Sequence, residues 1–214
     1  MRLTSRLLLA AAILLLSFQS LAAQPADPKT IIDDNTRKIR ELVVASKDDE
    51  DMRAKVKGLL EGFVDFGEFG KLCMGKEWDK LSADQRSRYL VEFKALLERT
   101  YLKRFKAGKP FTSTFRGDTR LNKAGDRAEV RTTITTDDVG ADIDYRFHSA
   151  NGWKVYDILV DEVSMMRNFR KSFLKVVRKE GFDALIKKMQ NRNEELEKAG
   201  EAKDGGTDDD EGNE

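Results

Sequence analysis

Hydrophobic positions change period once along this chain, and the change separates a helical first half from a sheet-bearing second half. From Ile31 to Phe105 apolar residues recur three and four apart, the spacing of one helix face. Ile31, Ile32, Ile39, Leu42 and Val43 mark a first helix, opened by Asp27-Pro28, an N-cap followed by proline at the first helical position. Met52, Val56, Leu59 and Leu60 mark a second, with Asp48 to Asp51 placing negative charge at its positive end. Asp65-Phe66-Gly67-Glu68 has the form of a capping box, Glu68 reaching back, and predicts a short helix carrying Phe69, Leu72 and Cys73, with Gly75 and Trp78 after it. A second box, Ser82-Ala83-Asp84-Gln85, opens the longest helix, with Tyr89, Phe93, Leu96, Leu97, Thr100, Tyr101 and Phe105 on one face.

Gly108-Lys109-Pro110 ends that half, and from Phe111 the period is two. Phe111 to Phe115 and Val130 to Ile134 read as two strands, with a turn at Asn122 to Asp126 between them. Ile143, Tyr145 and Phe147 alternate with Asp142, Asp144, Arg146 and His148, so the third strand has one apolar face. Asn151-Gly152 is a hairpin signal. The fourth strand, Trp153 to Val160, sets Trp153, Val155 and Leu159 on one face and Tyr156, Ile158 and Val160 on the other, as expected of a strand covered on both sides. Ser164 caps a helix whose buried side is Met165, Met166, Phe169, Phe173, Val176 and Val177; Gly181 ends it, and Asp183 caps a last segment with Leu185, Ile186 and Met189. The class is α+β: a curved antiparallel sheet of about four strands with helices before and after it.

Composition adds an address and an asymmetry. Arg2 and Arg6, the run Leu7 to Leu16 and Ser20-Leu21-Ala22 have the form of a signal peptide over residues 1–22, the apolar run being shorter than the roughly 20 residues that span a bilayer. Residues 194–214 hold ten acids and two bases, and the stretch beyond about Ala199 reads as a disordered acidic tail, residues 200–214. Residues 23–193, between these ends, hold 35 bases and 28 acids, so the body is basic, and residues 23–199 read as one domain.

Candidate chemistry is sparse. One cysteine, Cys73, and one histidine, His148, exclude a disulfide, a cysteine zinc site and most hydrolytic arrangements. Gly70-Lys71-Leu72-Cys73-Met74-Gly75-Lys76 matches seven positions of a phosphate-binding loop but has Glu77 at the eighth, and lies within a helix. His148 falls on the polar side of its strand, a solvated position. Asp157 shares a face with Trp153 and Val155, where a buried carboxylate acts as a general base or simply pairs with an arginine. The basic residues are dispersed and no nucleic-acid motif is present. What remains is a surplus of bulky inward residues: Phe93, Leu97, Tyr101 and Phe105 from the helical half, Tyr145, Phe147, Trp153 and Val155 from the sheet, Phe169, Phe173 and Val177 from the late helix. They line either a filled core or an apolar cavity; periodicity does not separate the two.

Two stretches carry a resemblance. Asp65-Phe66, Gly75-Lys76-Glu77-Trp78, Ser82-Ala83-Asp84-Gln85-Arg86 and Leu96-Leu97 with Thr100-Tyr101 resemble the MlaC family, also called toluene-tolerance auxiliary proteins. Tyr145-Arg146-Phe147, Gly152 to Ile158 and Val163-Ser164-Met165-Met166-Arg167-Asn168-Phe169-Arg170-Lys171-Ser172-Phe173 resemble it more closely, and Gly181 to Ile186 matches its ending. Glu162 stands where the family often has Gly, and the acidic tail lies outside its pattern. The resemblance implies a fold like nuclear transport factor two around a deep apolar cavity. It also implies a soluble periplasmic, non-enzymatic carrier of phospholipid. Its partners would be an outer-membrane lipoprotein complex and an inner-membrane ABC transporter with a membrane-anchored lipid-binding subunit, with no cofactor beyond the bound cargo. The eleven bulky residues would then line the lipid site. The competing expectations are a cone-fold isomerase or hydratase using Asp157, and an accessory subunit with a full core.

Overall fold

The computed structural model describes residues 27–136 and 139–204. The segment read as a signal peptide, and residues 205–214 of the acidic tail, lie outside that range. Six helices and six strands follow in the order α1 (Pro28–Ala45), α2 (Asp49–Phe63), α3 (Phe66–Met74), α4 (Ala83–Tyr101), β1 (Thr112–Phe115), β2 (Arg120–Leu121), β3 (Arg127–Thr135), β4 (Gly140–His148), β5 (Lys154–Val160), β6 (Val163–Ser164), α5 (Met165–Glu180) and α6 (Phe182–Asp204). The helix starts follow from their caps. Asp27 accepts from the amides of Lys29 and Thr30, Asp48 from Asp51, Asp65 from Glu68 and Ser164 from Arg167. The capping box at Ser82 is complete, with Gln85 Oε1 accepting from the Ser82 amide at 3.0 Å. At Asp65 only half the expected box forms, because the Glu68 carboxylate turns to Lys71 at 3.7 Å and Arg127 at 4.0 Å. Asp183 lies in the first turn of α6 rather than capping it, and reaches Arg88 at 3.4 Å. Gly181, at φ 89°, ends α5 in the left-handed region that a side chain disfavours. The last helix continues past Ala199 to Asp204, further than the composition suggested.

The sheet is open and antiparallel, in the order β1-β3-β4-β5-β6, with β2 paired to the start of β3. The four expected strands are β1, β3, β4 and β5; β2 and β6, two residues each, are too short to show a period. Register places Val130, Tyr145 and Ile158 side by side across three strands, with Phe115, Thr132 and Ile143 in the next row. Between Arg146 and Phe147 the pairing slips: Arg146 opposes Asp157, yet Phe147 opposes Val155, leaving Tyr156 as the extra residue of a bulge. The bulge corrects the expected faces of β5. Val155 joins Phe147 on the apolar face, while Asp157 falls on the other face with Glu129 and Arg146. Between β5 and β6, Glu162 has φ 65°, a left-handed position that explains a glycine preference there.

Two hydrophobic clusters result. The main one gathers Ile32, Phe63, Phe69, Tyr89, Phe93, Ala128, Val130, Phe147, Val155, Phe173, Leu185 and Ile186 from α1 to α6 and the sheet. A smaller one, Ile39, Val43, Met52, Val56 and Leu102, closes the far end of the α1–α2 pair against the chain after α4. Among the described residues no helix is long and apolar enough to cross a membrane.

Candidate functional site

The eleven inward residues fall into three groups. Phe93, Leu97, Phe147, Val155 and Phe173 are buried in the main cluster. Tyr101, Tyr145, Trp153, Phe169 and Val177 are half-buried and packed against it. Phe105 belongs to the smaller cluster, 6.2 Å from the ring of Phe111, away from the others.

Under α4 the interior is filled. Phe93 meets Phe69 edge-on at 5.4 Å, stacks on Tyr89 at 5.7 Å, and meets Phe169 and Phe173 at 5.8 and 6.2 Å. The Tyr89 hydroxyl donates to the Gly70 carbonyl at 3.0 Å. Gly70 is a glycine because α3 approaches α4 closely there: a Cβ would lie 2.7 Å from Leu90 and 3.1 Å from Phe93. The residues that imitated a phosphate loop thus serve helix packing. Cys73 is equally structural; its thiol donates to the Met166 carbonyl at 3.7 Å, and burial pushes its pKa up, away from thiolate chemistry.

On the sheet side the packing is looser. Tyr145 lies deep enough that burial pushes its phenol up to about 12, against a hydrogen bond with Thr132 that lowers it. Part of its surface nonetheless remains accessible. Tyr145 therefore lies at the edge of the apolar layer, neither sealed in the core nor open on the surface. Half-buried Phe115 and Ile158 share its face of the sheet. The N-terminal end of α1 lies over that face, with Lys29 Nζ 5.0 Å from the Phe115 ring centroid.

An external groove of about 410 Å³ runs between α1 and α2 to the start of β5, lined by Ile31, Leu59, Phe63 and Trp153 with Gly58 and Gly62. The two glycines lie one helical turn apart, and a Cβ at either would meet nothing within 4 Å. Their missing side chains leave the groove open. Lys154 reaches across its end, donating to the Gly62 carbonyl. Sequence reasoning missed Phe63, the two glycines and Thr132. The four-residue spacing of Gly58 and Gly62 on a helix was the available signal; nothing marked Thr132 as a buried hydroxyl.

The opposite face of the sheet is charged and interlocked. Arg116 pairs with Asp142 at 3.0 Å and Asp144 at 2.5 Å, and Arg146 with Glu129 at 3.3 Å and Asp157 at 3.4 Å. Asp157 is fully buried, and its two oxygens accept from the Ser164 hydroxyl at 2.7 Å and the Met166 amide at 3.0 Å. It pins the start of α5 to the sheet, and neither oxygen points into the apolar side. The general-base expectation loses its geometry here; the arginine-paired alternative is what the structure contains. His148 is not solvated as expected. It is buried, accepts from the Ala150 amide through Nδ1 at 3.4 Å, and so turns an Nε2 proton to Asp65 at 3.0 Å. Among the described residues no group of His, Cys, Asp and Glu could hold a metal ion.

Comparison with known proteins converges on one family. The chain is 28% identical over 146 residues, 65% of this chain and 67% of the relative, to the intermembrane phospholipid transport system binding protein MlaC of Haemophilus influenzae. Its fold matches the solved phospholipid-binding protein of Ralstonia solanacearum, determined in complex with a phospholipid, with a TM-score of 0.66 and 26% identity; the match covers 79% of this chain and 96% of that one. The family model described as MlaC protein matches residues 29–191, from the first turn of α1 well into α6, and the chain therefore belongs to the MlaC family.

Proposed function

We propose that this protein binds a phospholipid with its acyl chains between the apolar face of the sheet and the α1–α2 pair, and carries it through the periplasm. The observation that carries the reading is the apolar-lined groove between α1, α2 and Trp153, beside a sheet face on which Tyr145, Phe115 and Ile158 are only half-buried. The fold match to a protein solved with a phospholipid supports the same reading. Physical need agrees. Burial is worth ~0.8 kcal/mol per CH₂, so one chain of about sixteen carbons exposed to water costs about 12 kcal/mol. A carrier must enclose the chains, while the headgroup stays outside.

The groove of about 410 Å³ is smaller than a diacyl lipid, so loading requires the helices to move apart from the sheet. The separate cluster at the far end of α1 and α2 suits that motion, because the pair keeps its own contacts while its near end shifts. The groove at Trp153, Gly58 and Gly62 is the opening through which chains would pass. No catalytic step is involved. The donor and acceptor we assign are an outer-membrane lipoprotein complex and an inner-membrane ABC transporter with its membrane-anchored lipid-binding subunit, the partners that the family resemblance implies.

The test is native mass spectrometry of the chain purified after export, followed by lipid extraction. One co-purified phospholipid per chain, transferable to acceptor vesicles, is the expected result. A lipid-free chain that takes up no phospholipid from vesicles overturns the proposal and leaves the full-core accessory subunit.

A further inference from the structure

The largest unneutralised charge among the described residues lies on α5. Arg167, Arg170, Lys171, Lys175, Arg178 and Lys179, with Leu174, line a shallow surface depression of about 570 Å³. They recur three and four apart, so they form one stripe, turned away from the apolar stripe of Phe169, Phe173, Val176 and Val177. Every base in α5 is on it. The helix has one acid, Glu180, and Lys188 of α6 takes it at 2.7 Å. Among the described residues none of the six cations forms an ion pair; Arg170 Nε donates to the Leu72 carbonyl at 2.7 Å instead. Elsewhere several cations do have a carboxylate within reach: Lys94 meets Glu61 at 2.7 Å, Lys106 meets Asp49 at 2.7 Å, and Arg116 meets Asp144 at 2.5 Å; α5 differs in holding six cations on one stripe with none so paired. Arg178 and Lys179 suit the negative end of the helix dipole. The other four have no such reason, and like charges one turn apart repel.

The counter-charge is in the same chain. Residues 205–214 read Gly-Gly-Thr-Asp-Asp-Asp-Glu-Gly-Asn-Glu, five acids and no base. Their starting point is fixed by α6, which runs parallel to α4 through Asp183–Arg88, Asn193–Glu92 and Glu197–Arg99. Helix α5 runs the other way, since Phe173 meets Tyr89 and Phe169 meets Phe93. The end of α6 at Asp204 therefore projects past the start of α5, about 16 Å beyond the level of Asn193. Asp208 to Glu211 lie four to seven residues beyond Asp204 and reach at most about 14–25 Å from it, enough to turn at the two glycines and return along Arg167 and Lys171 toward Lys175.

We infer that the acidic segment Asp208–Glu211 docks on the basic stripe of α5 and covers it. The segment is tethered, so its effective concentration at the stripe is on the order of millimolar, and a weak electrostatic contact suffices. The stripe is then a docking surface for anionic partners whose availability rises with ionic strength or with a stronger competing anion. This goes beyond lipid carriage and does not depend on it.

Carbodiimide, which joins amines to carboxylates only in direct contact, tests the contact on the full chain at low concentration and low salt. Intramolecular links from Lys171 or Lys175 to Asp208–Glu211, lost at high salt, are expected. Links confined to other lysines, or links that join two copies, overturn the inference. The second measurement uses vesicles containing phosphatidylglycerol as the anionic probe. A variant carrying Asp208→Asn, Asp209→Asn, Asp210→Asn and Glu211→Gln should bind them about tenfold more tightly than the unaltered chain. Equal affinity of the two chains overturns it. Co-purified lipid should be the same in both, which keeps failure here distinct from failure of the carrier reading.

Discussion

The block under α4 and the groove side at α1 and α2 are built from the same residue types and end in different packing. Four rings, those of Phe69, Tyr89, Phe169 and Phe173, lie 5.4–6.2 Å from that of Phe93, and the glycine opposite them is there because nothing larger fits. Around Tyr145 and Trp153 the aromatic rings keep accessible surface, and the glycines opposite the groove have room to spare. The first region sets stability; the second is where the proposed lipid would enter and leave. A glycine means opposite things in the two places, and only the distance from its absent Cβ to its neighbours tells which.

That comparison breaks most readily at Phe93. Phe93→Ala should cost about 3–5 kcal/mol, because the rings around it cannot collapse into the space. Urea denaturation measures it, and a loss below about 1 kcal/mol would mean the block is not tightly filled. Asp157→Ala is next. It strands the Ser164 hydroxyl and the Met166 amide at the start of α5 and should cost about 2–3 kcal/mol, with lipid per folded molecule unchanged. Loss of lipid without loss of stability would return Asp157 to the functional site.

Tyr145→Arg probes the looser region. Tyr145 keeps accessible surface, so an arginine there can extend its charge toward solvent, and the chain should stay folded by circular dichroism, losing no more than about 2 kcal/mol, while most bound phospholipid disappears. An unfolded product would show that the space is as tightly packed as the Phe93 block. A smaller effect is expected from Gly58→Leu with Gly62→Leu. Both side chains enter open groove, and helix propensity should add about 1 kcal/mol of stability. Lipid uptake from vesicles should slow severalfold in the same variant, and unchanged uptake would close the groove as the route.

Much of this was legible. Caps at Asp27, Asp48, Asp65, Ser82 and Ser164 are local events, and each starts a helix where the residue types require one. Tyr145 and Phe147 share the apolar face as their alternation demands. The misreadings were tertiary. Asp157 changed faces because Tyr156 bulges, and an extra residue leaves no mark in an alternating run. His148 is buried because Asp65, 83 residues earlier, comes to meet it. Phe105 continues the stripe of α4 but lies beyond its last turn, where the chain bends into the smaller cluster. Whether bulky residues fill a core or border a space depends on distances between elements, which no period encodes.

The smallest expected effect tests where the folded unit stops. Helix α6 contributes Asn193 and Leu196, both buried, and Glu197, which meets Arg99 at 3.2 Å; from Glu197 to Ala199 every residue is exposed. The segment beyond Asp204 has five acids and no residue able to bury apolar surface. Its contact with α5 would be electrostatic and exposed, a class of interaction worth about 0–1 kcal/mol. Removing residues 205–214 should therefore shift the melting temperature by less than about 4 °C and leave lipid content unchanged. Cutting the chain before Asn193 should do far more, because Leu196 leaves the core and Asn193 releases its hold on Glu92. If both truncations proved equally damaging, the acidic segment would be part of the fold rather than a cover laid upon it.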